Sequence, residues 1–82
     1  MAFSFEIAKP ADIKKAVVTT RQKIISSGGT FSGDEKSGEF SGRGVEGNYK
    51  AGSDAILITI TKKPAFYPVA AVKSAIADYF SG

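Results

Sequence analysis

The stretch Gly42-Arg43-Gly44-Val45-Glu46-Gly47 is the part of the sequence whose residue types and spacing most suggest chemistry. It reads G-x-G-x-x-G, the pattern of a turn that holds a dinucleotide pyrophosphate when a strand precedes it and a helix follows directly. The residues that follow here, Asn48 to Gly52, are poor helix formers and typical of a strand and a turn. A chain of 82 residues also has no room for a dinucleotide-binding fold. We therefore predict that Gly28 to Gly52 forms antiparallel β-hairpins rather than a phosphate-binding loop.

Catalytic and metal-binding side chains are scarce. The sequence has no His and no Cys, so the commonest general base, the thiolate nucleophile and the usual zinc and copper ligands are missing. Asp34 and Glu35 lie in a stretch typical of a turn, where acidic residues serve the backbone. We therefore expect no enzymatic activity, no bound metal and no cofactor.

Basic and aromatic side chains come together in the connector from Lys62 to Pro68. Lysines that contact phosphate and aromatic rings that stack on bases are the means by which proteins hold single-stranded RNA. In the alternative interpretation, which we favour, Phe66 closes the edge of the core beneath a second helix and the lysines are solvated. The predicted interaction surface consists of Lys62, Lys63, Phe66 and Tyr67.

The composition indicates a single short domain spanning residues 1–82. The apolar fraction of 43% and the charged fraction of 23% are ordinary for a soluble domain, and the net charge of +3 is scattered rather than clustered. No apolar segment reaches the ~18–20 residues of a membrane span, and the N-terminal residues do not read as a signal peptide. We expect a soluble, cytoplasmic domain with a thin core that no disulfide stabilises.

Hydrophobic periodicity predicts the element order β-α-β-β-β-β-α. Phe3, Phe5 and Ile7 alternate with polar residues, which indicates a first strand with one buried face. Apolar residues recur at helical spacing from Asp12 to Ser27, and Gly28-Gly29 then ends the helix. Pro68 suits the first turn of a second helix, whose apolar positions are Val69, Val72, Ile76 and Phe80.

The strands between the helices follow from the parity of their apolar positions. Phe40 lies at an even position, whereas Val45 and Tyr49 lie at odd ones. Since successive side chains of a strand point to opposite faces, the chain must reverse between Gly42 and Val45. Two further turns are predicted, at Asp34–Ser37 and at Gly52-Ser53. Tight turns then bring Phe31 opposite Phe40, Phe40 near Val45 or Gly47, and Tyr49 opposite Ile56.

The fold class that follows is α+β, a two-layer antiparallel β-meander with both helices on one face. Its buried face carries aromatic residues and isoleucines interleaved with glycines, at Gly33, Gly38, Gly42 and Gly47. With the apolar strand Ile56 to Ile60 and the closing helix, the chain resembles small bacterial proteins found near polyhydroxyalkanoate-granule genes. That resemblance implies the same fold and brings no catalytic residues.

Three functions remain open at this point. The first is a non-enzymatic binding or protein-interaction domain, with a protein partner or a second copy as a homodimer, because the core is thin and sheet edges stay open. The second is RNA binding through Lys62, Lys63 and Tyr67. The third is a carrier of a small apolar ligand, held where glycines leave space between sheet and helices.

Overall fold

Two helices pack on one face of a five-stranded antiparallel sheet in the computed structural model, which describes residues 2–81. The predicted α+β fold and element order are confirmed. The elements are β1 (Phe3–Ala8), α1 (Ile13–Ser26), β2 (Thr30–Gly33), β3 (Ser37–Gly42), β4 (Val45–Ala51), β5 (Ala55–Lys62) and α2 (Val69–Ser81). Neither helix of this part of the chain has the length and apolarity needed to cross a membrane.

The first strand lies beside the last one, so the sheet order is β1-β5-β4-β3-β2. Phe5 lies opposite Ile58 and Ala8 opposite Ala55 in this antiparallel pair. Because β1 and β2 form opposite edges, α1 crosses the sheet between them and runs antiparallel to α2. The neighbour of β1 was not predicted, since periodicity shows which face of a strand is buried but not which strand it joins.

The predicted turns at both ends of β3 are present. The Asp34 carboxylate accepts hydrogen bonds from the backbone N–H groups of Lys36 at 2.8 Å and Ser37 at 3.1 Å. These bonds hold the pKa of Asp34 below its usual value. Arg43 and Gly44 form a two-residue turn with φ of 54° and 82°, the positive values that a type I′ turn requires. The G-x-G-x-x-G pattern is therefore a β-hairpin, as predicted.

The strand registers confirm two of the predicted pairings and correct a third. Phe31 lies opposite Phe40, and Phe40 lies opposite Gly47. The prediction that Tyr49 lies opposite Ile56 is wrong, because Tyr49 pairs with Ile58.

A shift of one residue in the last turn accounts for the correction. The Gly52 N–H donates to the Ala55 carbonyl at 2.8 Å, so the chain reverses at Ser53-Asp54 and not at Gly52-Ser53. Moving a turn by one residue moves the register by two, so every side chain keeps its predicted face.

The core lies between the helices and the central strands. The isoleucines of β5 are fully buried, at Ile56, Ile58 and Ile60. The Tyr49 ring stacks on Phe31 at 5.7 Å and meets Phe80 of α2 edge-on at 5.3 Å. Gly47 makes room for Phe40, since a Cβ there would lie 3.0 Å from the Phe40 ring and 2.6 Å from a backbone oxygen.

Short polar contacts fix the ends of α1 and join it to α2. The Asp12 carboxylate caps the first turn by accepting from the Lys15 N–H at 3.1 Å. At the other end Gly28 takes a φ of 91° and ends the helix, as predicted. Thr20 is fully buried, and its Oγ1 lies 2.7 Å from the Ala16 carbonyl oxygen and 2.9 Å from that of Tyr79. This hydroxyl satisfies a carbonyl at the helix interface that the core would otherwise leave unpaired.

The Tyr49 hydroxyl links the turn between β2 and β3 to the core. It donates to the Asp34 carbonyl at 2.5 Å. Burial raises the pKa of Tyr49 to about 12, with smaller contributions from the charges of Asp34 and Glu35. The neutral phenol is therefore the form that the fold stabilises.

Tyr49→Phe is predicted to remove part of the pH dependence of stability. The folded-state pKa of Tyr49 lies above the ordinary value of 10.0. The contribution of the neutral phenol to the free energy of unfolding is therefore complete below pH 10 and is lost as the pH rises toward 12. At pH 8 we expect the variant to be less stable by about 1 kcal/mol, because the Asp34 carbonyl loses its donor. Between pH 10 and 11.5 the free energy of unfolding should fall more steeply for the wild type, as measured by urea denaturation. If the free energies of unfolding of the wild type and Tyr49→Phe fall in parallel over this pH range, the proposed role of the neutral phenol is contradicted.

Candidate functional site

Both lysines of the predicted surface interact within the chain. The Nζ of Lys62 lies 3.8 Å from Oε2 of Glu46 in an exposed ion pair. The Nζ of Lys63 donates to the Pro64 carbonyl at 3.3 Å. The exposed Lys62–Glu46 pair contributes little free energy, so the Lys62 ammonium stays accessible to solvent and to a partner. Lys63 is half-buried.

A tight turn after Lys63 holds the connector against the β3–β4 hairpin. The Tyr67 N–H donates to the Pro64 carbonyl at 3.0 Å, and α2 begins directly after Pro68. Pro64 lies beside the hairpin turn, since a Cβ on Gly44 would come within 3.1 Å of its Cγ. The two prolines fix φ on both sides of the aromatic pair, which makes the connector rigid.

The two aromatic residues of the connector lie in different environments. Phe66 is 90% exposed, so the favoured expectation that it closes the core edge is wrong. Tyr67 is the residue that packs against the core, partly buried. The sequence could not distinguish the two, because neighbours in a turn point in different directions that depend on the turn geometry. The structure thus leaves Lys62 and Phe66 exposed, whereas Lys63 is half-buried and Tyr67 packs against the core.

Tyr67 lines a cleft at the end of the sheet where both helices pass over the β3–β4 hairpin. We call it the helix cleft, and its volume is about 70 Å³. Buried apolar side chains form its floor: Ile24, Phe40, Val45, Val72 and Ile76. The remaining lining residues are Ser27, Ser41, Gly42, Arg43, Ala75 and Tyr79. An apolar floor with a few polar groups is typical of small-molecule sites.

The polar groups that line the helix cleft differ in how they are satisfied. Ser27 donates to the Ile24 carbonyl at 2.9 Å. The Ser41 side chain points to the opposite face of the sheet, where its hydroxyl lies 2.6 Å from that of Thr30. Within residues 2–81, the Arg43 guanidinium forms no ion pair and the Tyr67 and Tyr79 hydroxyls form no hydrogen bond. Three hydrogen-bonding side chains thus remain available at an apolar cleft.

Sequence reasoning missed Arg43 and Tyr79 as site residues. One signal was available, because the first position of a type I′ turn prefers Asn, Asp or Gly, and arginine is unusual there. Tyr79 offered none, since it reads as one more aromatic residue on an amphipathic helix.

The edge strand β1 offers a second apolar surface, on the helix side of the sheet. Phe3, Phe5 and Ile7 point to this side but are only partly buried. The Phe3 and Phe5 rings stack at 6.1 Å, and the Lys73 Nζ lies 5.8 Å from the Phe5 ring centroid. Val69, one helical turn before Lys73, is 40% exposed. We call Phe3, Phe5, Ile7 and Val69 the β1 patch.

The outer edge of β1 exposes unpaired main-chain groups. The Lys9 N–H donates to the Asp54 carbonyl at 3.3 Å, which continues the β1–β5 ladder by one residue. Because bonding direction alternates along an antiparallel strand, the odd-numbered residues of β1 also bond toward β5. The N–H and C=O groups that point away from the sheet belong to Ser4, Glu6 and Ala8. β1 contains no proline, lysine or bulge, the usual features that block such an edge.

The open face of the sheet is largely polar. It carries exposed or half-exposed residues including Ser32, Glu39, Ser41, Glu46 and Asn48. Among residues 2–81 no group of three or more acidic, His or Cys side chains could hold a metal ion.

Comparison of the chain with protein-family models, curated proteins and solved structures finds no match in any of the three. The resemblance to proteins found near polyhydroxyalkanoate-granule genes therefore stays a prediction. The helix cleft, the connector and the β1 edge are the three features of the described chain that could contact a partner or ligand.

Alanine substitutions at Phe66 and Tyr67 are predicted to affect stability differently. Phe66→Ala should change the free energy of unfolding by less than about 0.5 kcal/mol, because the ring is solvated in the native state. Tyr67→Ala should lower it by about 1–2 kcal/mol, because a partly buried ring is lost from the core. Urea denaturation of both variants measures the difference. A larger loss for Phe66→Ala would restore the expectation that Phe66 closes the core.

Proposed function

We propose that this chain is a non-enzymatic protein-interaction domain that binds by strand addition at β1, with a second copy of itself as the partner. The observation that carries the proposal is the unblocked β1 edge beside the partly exposed β1 patch. Strand addition satisfies unpaired main-chain groups and buries alternate side chains in one step. The absence of His and Cys supports a role without catalysis.

The β1 sequence is complementary to itself in one antiparallel register. If Phe5 lies opposite Phe5 of the second copy, Phe3 falls opposite Ile7 and Ser4 opposite Glu6. The apolar residues then share the helix side of the joined sheet, and no like charges face each other. The groups that pair in this register are those of Ser4 and Glu6, which point away from β5. A register with Glu6 opposite Glu6 of the second copy is disfavoured, because two negative charges would face each other.

The opposite edge of the sheet is less suited to a partner. β2 has only 4 residues and ends at Gly33. Phe31, its apolar residue on the helix side, is already buried. A partner strand at β2 would gain main-chain bonds but little apolar contact, whereas β1 offers both. Two copies joined at β1 form one continuous sheet with a two-fold axis, the commonest symmetry of homodimers.

Glu6→Pro is predicted to convert the dimer into a monomer without unfolding it. Proline removes the outward N–H of Glu6 and places its ring in the path of the partner strand, while the bonds toward β5 remain. The matched control is Glu6→Ser, which removes the charge and keeps the N–H, and it should remain dimeric. Sedimentation velocity over a series of concentrations measures association, and circular dichroism measures folding.

Two results of this experiment would contradict the proposal. One is a wild-type protein that sediments as a monomer at every concentration. The other is a folded Glu6→Pro variant that associates as tightly as Glu6→Ser, which would place the interface elsewhere.

RNA binding is a second candidate, which the exposure of Phe66 supports. The exposed Phe66 ring is free to stack on a base, with the exposed Lys62 and the half-buried Lys63 in the same connector. Tyr67, proposed from the sequence for this role, points inward and is replaced by Phe66 as the stacking residue.

The RNA candidate predicts salt-sensitive binding that depends on Phe66. Filter binding of a uridine-rich single-stranded RNA should weaken about tenfold in Phe66→Ala, because one stacking contact is lost. Binding should also weaken as salt rises, since the lysines contact phosphates. No retention of the RNA at low salt would exclude this candidate.

A further inference from the structure

The helix cleft is a second site, two strands away from the β1 edge. Its apolar floor is bordered by Arg43, which lines the cleft. Arg43 is the only residue of the described chain, other than glycine, that has a positive φ. A non-glycine residue in this conformation costs on the order of 1 kcal/mol, and Asn or Gly would form the same turn with less strain. Strain retained at a turn that lines a cavity indicates a use for the side chain.

The hydroxyls of Tyr67 and Tyr79 can bind the same kind of group as the Arg43 guanidinium, a carboxylate. A guanidinium donates two parallel hydrogen bonds to a planar carboxylate. The phenols of Tyr67 and Tyr79 can each donate one more, since neither is bonded within residues 2–81. All three are donors, and the floor beneath them offers apolar contact only. The cleft is thus complementary to a molecule with an acidic head and an apolar tail.

Of the described residues that line the cleft, only Arg43 carries a charge. The C-terminal end of α1 and the N-terminal end of α2 lie at the same end of the sheet. Their dipoles have opposite signs and largely cancel. One uncompensated guanidinium then favours a monoanion over a dianion such as a phosphate monoester, which would need a second cation.

We propose that the helix cleft binds a small aliphatic carboxylic acid, with its tail on the floor and its carboxylate on Arg43. The volume of about 70 Å³ is roughly half that of an engineered cavity that holds benzene. About three carbons therefore fit inside, and the half-open mouth accommodates the remainder and the head group. This proposal makes specific the apolar-ligand carrier left open by the sequence, and it is independent of dimer formation.

The test uses three probes and the full chain. Sodium hexanoate has both an aliphatic tail and a carboxylate. Hexanamide has the same tail without the charge, and sodium acetate has the charge without the tail. Amide chemical shifts of the cleft residues, followed by titration, report each affinity and its location. Hexanoate is expected to bind at least tenfold more tightly than hexanamide or acetate.

Variants at Arg43 and Ala75 separate the head and tail contacts. Arg43→Asn should reduce hexanoate affinity to the level of hexanamide and leave hexanamide unchanged, while thermal stability is retained because Asn-Gly suits the turn. Ala75→Leu, which fills the cleft with Arg43 intact, should weaken hexanoate and hexanamide alike. Glu6→Pro, at the β1 edge, should change neither affinity.

Three outcomes would overturn this proposal. They are no shift of the cleft residues with hexanoate, equal affinities for hexanoate and hexanamide, and unchanged hexanoate binding in Arg43→Asn. None of them bears on the proposed dimer, which the Glu6 variants test separately.

Discussion

The antiparallel pairing of β1 with β5 is the contact on which the rest of the structure depends. It places the first strand beside the last one and makes β5 an interior strand, which is why its three isoleucines are fully buried. It also sends α1 across the sheet to reach β2 at the opposite edge. The crossing brings α1 alongside α2, and the buried Thr20 hydroxyl joins the two helices. A contact between distant parts of the chain thus determines where both helices lie.

The same pairing creates the two sites proposed above. Because β1 is an edge, its outward main-chain groups have no neighbour in the described chain, and the helices cover its inner face incompletely. Because α1 packs over β2 and β3 and alongside α2, the two helices meet above the β3–β4 hairpin and enclose the helix cleft. The connector contributes to the cleft through Tyr67 and leaves Phe66 in solvent. One topological feature therefore accounts for an open edge on one side of α2 and a cleft on the other.

Much of the fold was predictable because its strands alternate clearly. The parity change between Phe40 and Val45 located the Arg43-Gly44 turn, and the opposition of Phe31 and Phe40 followed from it. The turn after β4 was misplaced by one residue, since Gly52 is a strong turn signal although the reversal lies at Ser53-Asp54. The misplaced turn changed the predicted β4–β5 register but not the predicted face of any side chain, because a shift of two residues preserves that face.

The site was less predictable than the fold, for physical reasons that particular residues illustrate. Phe66 and Tyr67 are adjacent aromatics, and which one points inward depends on a turn geometry that no periodicity encodes. The helix cleft combines residues from α1, β3, the hairpin turn, the connector and α2, which only the assembled fold brings together. The open edge of β1 depends on its having a single neighbour, which is a property of topology rather than of local sequence.

The most direct test of the account is amide hydrogen exchange along β1 as a function of protein concentration. Phe5 and Ile7 should be protected at every concentration, because their N–H groups bond to β5 within one chain. Ser4 and Glu6 should exchange freely in dilute protein and become protected as the concentration rises and the β1 edges pair. Free exchange of Ser4 and Glu6 at every concentration would contradict the proposed pairing of β1 with a second copy.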